Sequence, residues 1–301
     1  MENVGKISKL ESKKIPESVL LEVFLQRHGP KLSATAEKNE VADYFGASVE
    51  QGFEEMGVKE GKGLVHISSS PVERAMNTAT IELEKMVATE HRLKKMVGKQ
   101  EKLATPFQPF AEAENERYAK DLEIIIKMQR SLEHSAREKV EHDYPNLTPV
   151  EKEAEVRNII DTEVLTVLFD EKKAKEHGIQ TSYEEMADNL AQRYEGFLKH
   201  ARLLASQKES DMQPKDEPYR QIDVSHSFPI MSFLKKFLVF DDGLAAREMT
   251  PPDFFNKIGG VIKESQSLKL RYKKEGERYI LEVEGNFQNT SPFRGQLKFT
   301  E

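Results

Sequence analysis

Arg27-His28-Gly29 closes the apolar run Val19-Leu20-Leu21-Glu22-Val23-Phe24-Leu25 and sets a cation, an imidazole and a flexible backbone at one point. A phosphate could be held there and attacked. The glycine lets the backbone come close to a ligand. Arg27 offers planar donors that match phosphate oxygens two at a time. His28 can act as a nucleophile that accepts the phosphoryl group. A tripeptide of this kind is weak evidence alone, because a lone histidine after a strand is more often structural.

Two further segments present similar groups. In Leu64-Val65-His66-Ile67-Ser68-Ser69-Ser70-Pro71-Val72-Glu73-Arg74 a short apolar strand runs into serines, then into a proline suited to a first helical position, with Arg74 in the first turn. Unpaired N–H groups at such a helix start favour an anion. In Gln221-Ile222-Asp223-Val224-Ser225-His226-Ser227-Phe228-Pro229-Ile230 another strand ends in a histidine, with Pro229 opening an apolar helix. In an open α/β sheet the ligand site lies beyond the carboxyl ends of the strands, so the three segments can meet there.

With these motifs the chain resembles the histidine phosphatase superfamily, the phosphoglycerate mutase-like family. The matching positions are Arg27-His28-Gly29, Ser69-Ser70-Pro71 with Arg74-Ala75 and Thr78-Ala79, and Val224-Ser225-His226 before Pro229-Ile230. The resemblance covers roughly residues 19–116 and 181–290 and leaves the middle outside. It implies a phosphohistidine at His28, with Arg27, Arg74 and His226 lining the phosphate pocket and Ser227, Glu114 and Glu116 available to substrate. It also implies an α/β three-layer sandwich with a mostly parallel central sheet. The chain departs from the pattern at Ser227, where relatives often carry Gly, and at Pro30-Lys31, where many carry an acidic residue and a Thr.

The departing oxygen needs a carboxylic acid. One branch of the family places an Asp right after the second histidine, where this chain has Ser227. The other uses a Glu two residues beyond an apolar side chain, a spacing that Phe110-Ala111-Glu112 meets, with Glu114 and Glu116 close by. Glu112 is the first choice. A glutamate at a charged helix start is otherwise solvated and favourable to the dipole.

The elements around these motifs follow from pattern. Residues 1–18 read as a polar tail before a single domain over 19–301. A long helix is expected over about 71–95, its basic end at His91-Arg92-Leu93-Lys94-Lys95 complementing the dipole. Leu122, Ile125, Ile126, Met128 and Leu132 give an apolar face to a helix over about 112–142. Thr148-Pro149-Val150-Glu151 is a capping box that starts a second helix, expected to run through Leu168 to about His177. Ser182-Tyr183-Glu184-Glu185 opens a third, in which Arg193 fits the family's pattern. The first two form an inserted helical hairpin at about 117–180, a cap over a pocket whose own residues lie outside the insertion. Residues 267–272 and 279–283 alternate as a hairpin.

Composition frames the function. A net charge of −7 and pI near 5.8 argue against general binding of nucleic acid or anionic membranes. Cysteine is absent, so disulfides and thiolate chemistry are excluded. No metal-ligand spacing stands out, and neither a metal nor any other cofactor is expected. A cytoplasmic enzyme acting on a small phosphorylated substrate is the expectation, with homo-oligomer formation left open. The leading reading is a metal-independent phosphatase working through phosphohistidine. Its rivals are phosphoglycerate mutase-type transfer and a non-catalytic module that binds phosphate and a partner protein.

Overall fold

The structure, a computed structural model, describes residues 19–29, 52, 56, 65–70, 73–88, 93–99, 116–207, 219–275, 278–287 and 292–299. In chain order come β1 (Val19–Arg27), β2 (Val65–Ser69), α1 (Glu73–Ala88) and β3 (Leu93–Lys99). Helices α2 (Glu116–Asp143), α3 (Pro149–Leu168), α4 (Glu171–Glu176) and α5 (Tyr183–Gln207) follow. The chain then returns to the sheet through β4 (Tyr219–Ser225), α6 (Ser227–Phe237) and β5 (Leu238–Phe240). It continues with a 3-10 turn at Ala246–Glu248, α7 (Pro251–Ile258), β6 (Ser267–Glu275), β7 (Arg278–Gly285) and β8 (Phe293–Leu297).

One eight-stranded sheet runs in the order β3-β2-β4-β1-β6-β7-β8-β5. The expectation of a mostly parallel sheet is corrected here. Only the β3–β2–β4–β1 half is parallel, and every pairing from β1 through β6, β7 and β8 to β5 is antiparallel. The reason is connection length. Parallel neighbours need long crossovers, which the first two-thirds of the chain supplies, whereas only two residues separate β6 from β7, too few for a crossover.

Strand β1 is buried along its whole length. Its alternate residues feed two layers, as a period of two requires. Leu21, Val23 and Leu25 join a core with Tyr194 of α5, Phe233 of α6, and Val164 and Leu165 of α3. Phe24 packs with Ile67, Ile222 and Val224 against Ala75 and Ala79 of α1. The fold is therefore an α/β three-layer sandwich, and the inserted helices share the larger core.

Glu22, on the Phe24 face, sits between Arg220 and Arg271, each 3.4 Å away. Arg271 reaches Glu284 at 2.8 Å, and Arg294 reaches the same carboxylate at 3.1 Å. Charges thus alternate across five adjacent strands, the favourable cross-strand arrangement.

Several boundaries differ from the sequence expectation. Helix α1 ends at Ala88, and Leu93–Lys99 forms an edge strand parallel to β2. Pairing with an available strand outweighs the helical reading of that basic run. The second inserted helix stops at Leu168. Asp170 then caps α4 by accepting from the Lys172 and Lys173 N–H groups at 3.1 and 3.2 Å. The capping box at Thr148 and Glu151 forms in full.

Candidate active site

The carboxyl ends of β1, β2 and β4 are tied to one another by backbone hydrogen bonds. His28 N–H donates to Ser225 O at 3.0 Å, and Ser70 N–H donates to Val224 O at 2.9 Å. Gly29 N–H donates to Thr78 Oγ1 at 2.9 Å, and that hydroxyl donates onward to Arg74 O at 2.9 Å. Thr78 therefore pins α1, which carries Arg74, to the turn that carries His28. The three segments singled out from sequence converge.

His28 and His226 lie edge to face with ring centroids 4.9 Å apart. His28 Nδ1 is 2.6 Å from Gly29 O. A carbonyl can only accept, so Nδ1 carries the hydrogen and a neutral ring keeps its lone pair on Nε2. Burial pushes the His28 imidazole well below its ordinary value, and the charges of Arg74 and Arg27 push it the same way. His226 occupies the N-cap position of α6 with φ −128° and ψ 160°, yet its side chain caps nothing there. Its Nε2 lies 3.0 Å from Ser70 Oγ. Burial, then Arg74 and Arg27, also hold it well below the ordinary value.

Arg27 donates through NH1 to Ile262 O at 2.8 Å and pairs through NH2 with Asp161 at 3.0 Å. Glu264 stands 4.0 Å from the same nitrogen. Burial, followed by the charge of Arg27, brings Arg74 down to about 10, so it remains a cation at neutral pH. The Nε–H of Arg27 and that of Arg74 are buried without a hydrogen-bond partner among the described residues. An orphaned buried donor costs about 1–3 kcal/mol, which an incoming acceptor would recover.

Sequence reading missed Asp161, Arg157 and Glu264. Asp161 Oδ2 accepts from Ser227 Oγ at 3.3 Å as well as pairing with Arg27. Burial raises its carboxyl above the ordinary range, with Arg27 opposing. Arg157, one turn earlier on α3, holds Glu264 at 3.1 Å. The inserted helices reach one of the expected pocket residues, because α3 brings a carboxylate to Arg27 itself. A signal was present. Asp161 lies on the stripe of Val164, Leu165 and Leu168, a charged residue on the buried face of its helix.

The other expectations divide. Arg27, His28, Arg74, His226 and Ser227 are brought together. Glu112 and Glu114 lie outside the described residues, and Glu116 begins α2 with its side chain outside them as well. Among the described residues no group of three His, Cys, Asp or Glu could hold a metal ion, and no helix is long and apolar enough to cross a membrane.

No family model and no curated protein matches the sequence. The fold is similar to a phosphoglycerate mutase from Bacillus anthracis str. Sterne, with 16% identity, a TM-score of 0.42, and coverage of 85% of this chain and 90% of that one. A structure described as mycobacterial hydrolase 2 gives 16% identity and 0.42, covering 90% and 92%. A mycobacterial glucosyl-3-phosphoglycerate phosphatase gives 14% identity and 0.40, covering 91% of this chain and 100% of that one. Likeness at these values assigns no role to any residue.

Proposed function

We propose that this chain hydrolyses a phosphomonoester through a phosphohistidine at His28, with Arg27, Arg74 and His226 holding the phosphoryl group. The observation that carries the reading is the state of His28. Its Nδ1 is committed to Gly29 O, and its ring is held neutral beside two guanidinium groups and a second imidazole. That is a nucleophile with its lone pair ready and the counter-charge for its target already in place.

Phosphate oxygens would supply acceptors for the unpartnered Nε–H groups of Arg27 and Arg74. Negative charge on the ligand would favour the protonated form of His226, which then becomes a donor. Charge that spreads over the equatorial oxygens in the transition state meets these fixed donors, usually the largest catalytic contribution. His28 Nε2 attacks phosphorus while the bond to the leaving oxygen breaks. Water then attacks the phosphohistidine, returning the electron pair to Nε2 and releasing phosphate. The positive charge comes from side chains, so chelator should leave turnover unchanged.

Turnover of an aryl phosphate in chelator, together with rapid-quench trapping of an acid-labile, base-stable phosphoenzyme, tests the reading. A protein that binds phosphate but neither turns over nor forms a covalent species would overturn it in favour of a binding module.

A further inference from the structure

We propose that Asp161, delivered by the inserted helix α3, is the group that protonates the leaving oxygen and later takes a proton from the attacking water. The inference rests on the phosphohistidine reading, since it names the acid and base for that reaction. The geometry is specific. Asp161 Oδ2 is 3.0 Å from Arg27 NH2 and 3.3 Å from Ser227 Oγ. Arg27 and Ser227 are the chain neighbours of His28 and His226, so the carboxyl group bridges the two segments that carry the histidines.

The surroundings suit a group that must change protonation state within the cycle. Asp161 is buried, and burial disfavours its charged form. The charge of Arg27 opposes that effect. An arriving phosphate dianion shares Arg27 and adds negative charge beside the carboxyl, and both changes favour proton uptake. Substrate binding therefore loads the acid. When His28 Nε2 attacks, the phosphorus–oxygen bond breaks, its electron pair stays on the leaving oxygen, and the Asp161 proton moves to that oxygen. The carboxylate left behind then accepts a proton from water as that water attacks phosphorus and the nitrogen–phosphorus bond breaks.

Ser227 is a positioning residue in this scheme. Its hydroxyl donates to the carboxyl at 3.3 Å and so fixes where Asp161 sits. Arg157 and Glu264 support the same wall, since Arg157 lies one helical turn from Asp161 and holds Glu264 close to Arg27. The insertion is thus part of the catalytic machinery as well as a cover.

The experiment compares wild type, Asp161→Asn, Ser227→Ala and Glu112→Gln on glycerol phosphate and nitrophenyl phosphate, with the phosphoenzyme followed by rapid quench. An alkoxide departs poorly without a proton, whereas a nitrophenoxide leaves unaided. Asp161→Asn should slow phosphorylation by glycerol phosphate about 10²–10⁴-fold and slow phosphorylation by nitrophenyl phosphate far less. Loss of the base should then make nitrophenol release a burst followed by a slow phase. Ser227→Ala should give a smaller split of the same sign, which keeps the idea testable should Asp161→Asn fail to fold. Equal slowing on both esters, or the split appearing in Glu112→Gln instead, overturns the assignment. A wild-type enzyme that yields no phosphohistidine would sink the reaction itself, a separate and recognisable failure.

Discussion

Arg193 clasps Asp223 of β4, three residues ahead of His226, with two parallel hydrogen bonds, Nε at 2.8 Å and NH2 at 2.7 Å. Tyr194 OH also donates to Asp223 at 3.1 Å, and Gln221 Nε2 donates to it at 2.6 Å. The carboxylate is fully buried. Helix α5 is thereby locked onto β4, whose end carries the second histidine.

Removing one member of such a pair leaves the other charged and buried, which costs about 3–5 kcal/mol. Asp223→Asn should therefore lower the denaturant midpoint by an amount that corresponds to that cost at unchanged slope. A midpoint close to that of wild type would mean that the clasp contributes little to holding β4.

The lowered imidazole of His28 makes a prediction about acid pH. The group is needed neutral, and a depressed pKa keeps it neutral as pH falls past the ordinary value of 6.5. An unshifted imidazole would be about nine-tenths protonated one unit below its pKa, a tenfold loss of nucleophile. Phosphoenzyme formation measured at pH 5.5, corrected for the ionisation of the aryl phosphate, should fall by much less than tenfold from its neutral value. A full tenfold fall would show that the ring titrates as it does in water. His28→Ala should abolish both label and turnover, and label persisting in that variant would place the nucleophile elsewhere.

Arg74→Lys separates charge from shape. Lysine keeps a cation but loses the planar fork and the Nε–H donor that is buried without a partner among the described residues. Loss of one oriented donor typically lowers the rate about 10²–10³-fold. The expected result is a fall in kcat of that order with a folded protein by circular dichroism. Wild-type activity in the lysine variant would remove Arg74 from the phosphate shell.

Sequence alone carried the site further than it carried the sheet. The convergence of Arg27, His28, Arg74 and His226 was legible because each sits at a strand end or first helical turn, where local pattern and chemistry coincide. The antiparallel half of the sheet was only partly legible. The alternation in 267–272 and 279–283 marks a hairpin, but nothing local says that it joins β1 edge to edge, and β8 and β5 are too short to announce themselves. Leu93–Lys99 was misread because strand pairing is a non-local property that a basic run does not encode. Asp161 was missed for a similar reason. Its partners lie 134 positions earlier at Arg27 and 66 later at Ser227, and only its place on an apolar stripe hinted at them.

Glu82 offers a test of stability against pH that is independent of catalysis. It lies one helical turn beyond Thr78 on α1, fully buried, and neither carboxyl oxygen has a hydrogen-bond partner among the described residues. Burial pushes its pKa from 4.5 up to about 8. The nearby Gln26 side chain opposes this, while its amide donates to Ser265 O at 3.1 Å. The folded pKa is raised, so between 4.5 and 8 the native state holds a proton that the unfolded chain has released. Stability from this group is complete below the unfolded value and is lost as pH rises through the folded one. The slope within that window is about 1.4 kcal/mol per pH unit. Glu82→Gln keeps the shape but cannot ionise. The unfolding free energy of wild type minus that of Glu82→Gln, measured in urea from pH 5 to 8, should therefore decline steadily with pH. The glutamine variant should be the more stable of the two near neutrality. A difference that stays constant across the range would mean that Glu82 keeps its ordinary pKa, through a partner or through water reaching the carboxyl.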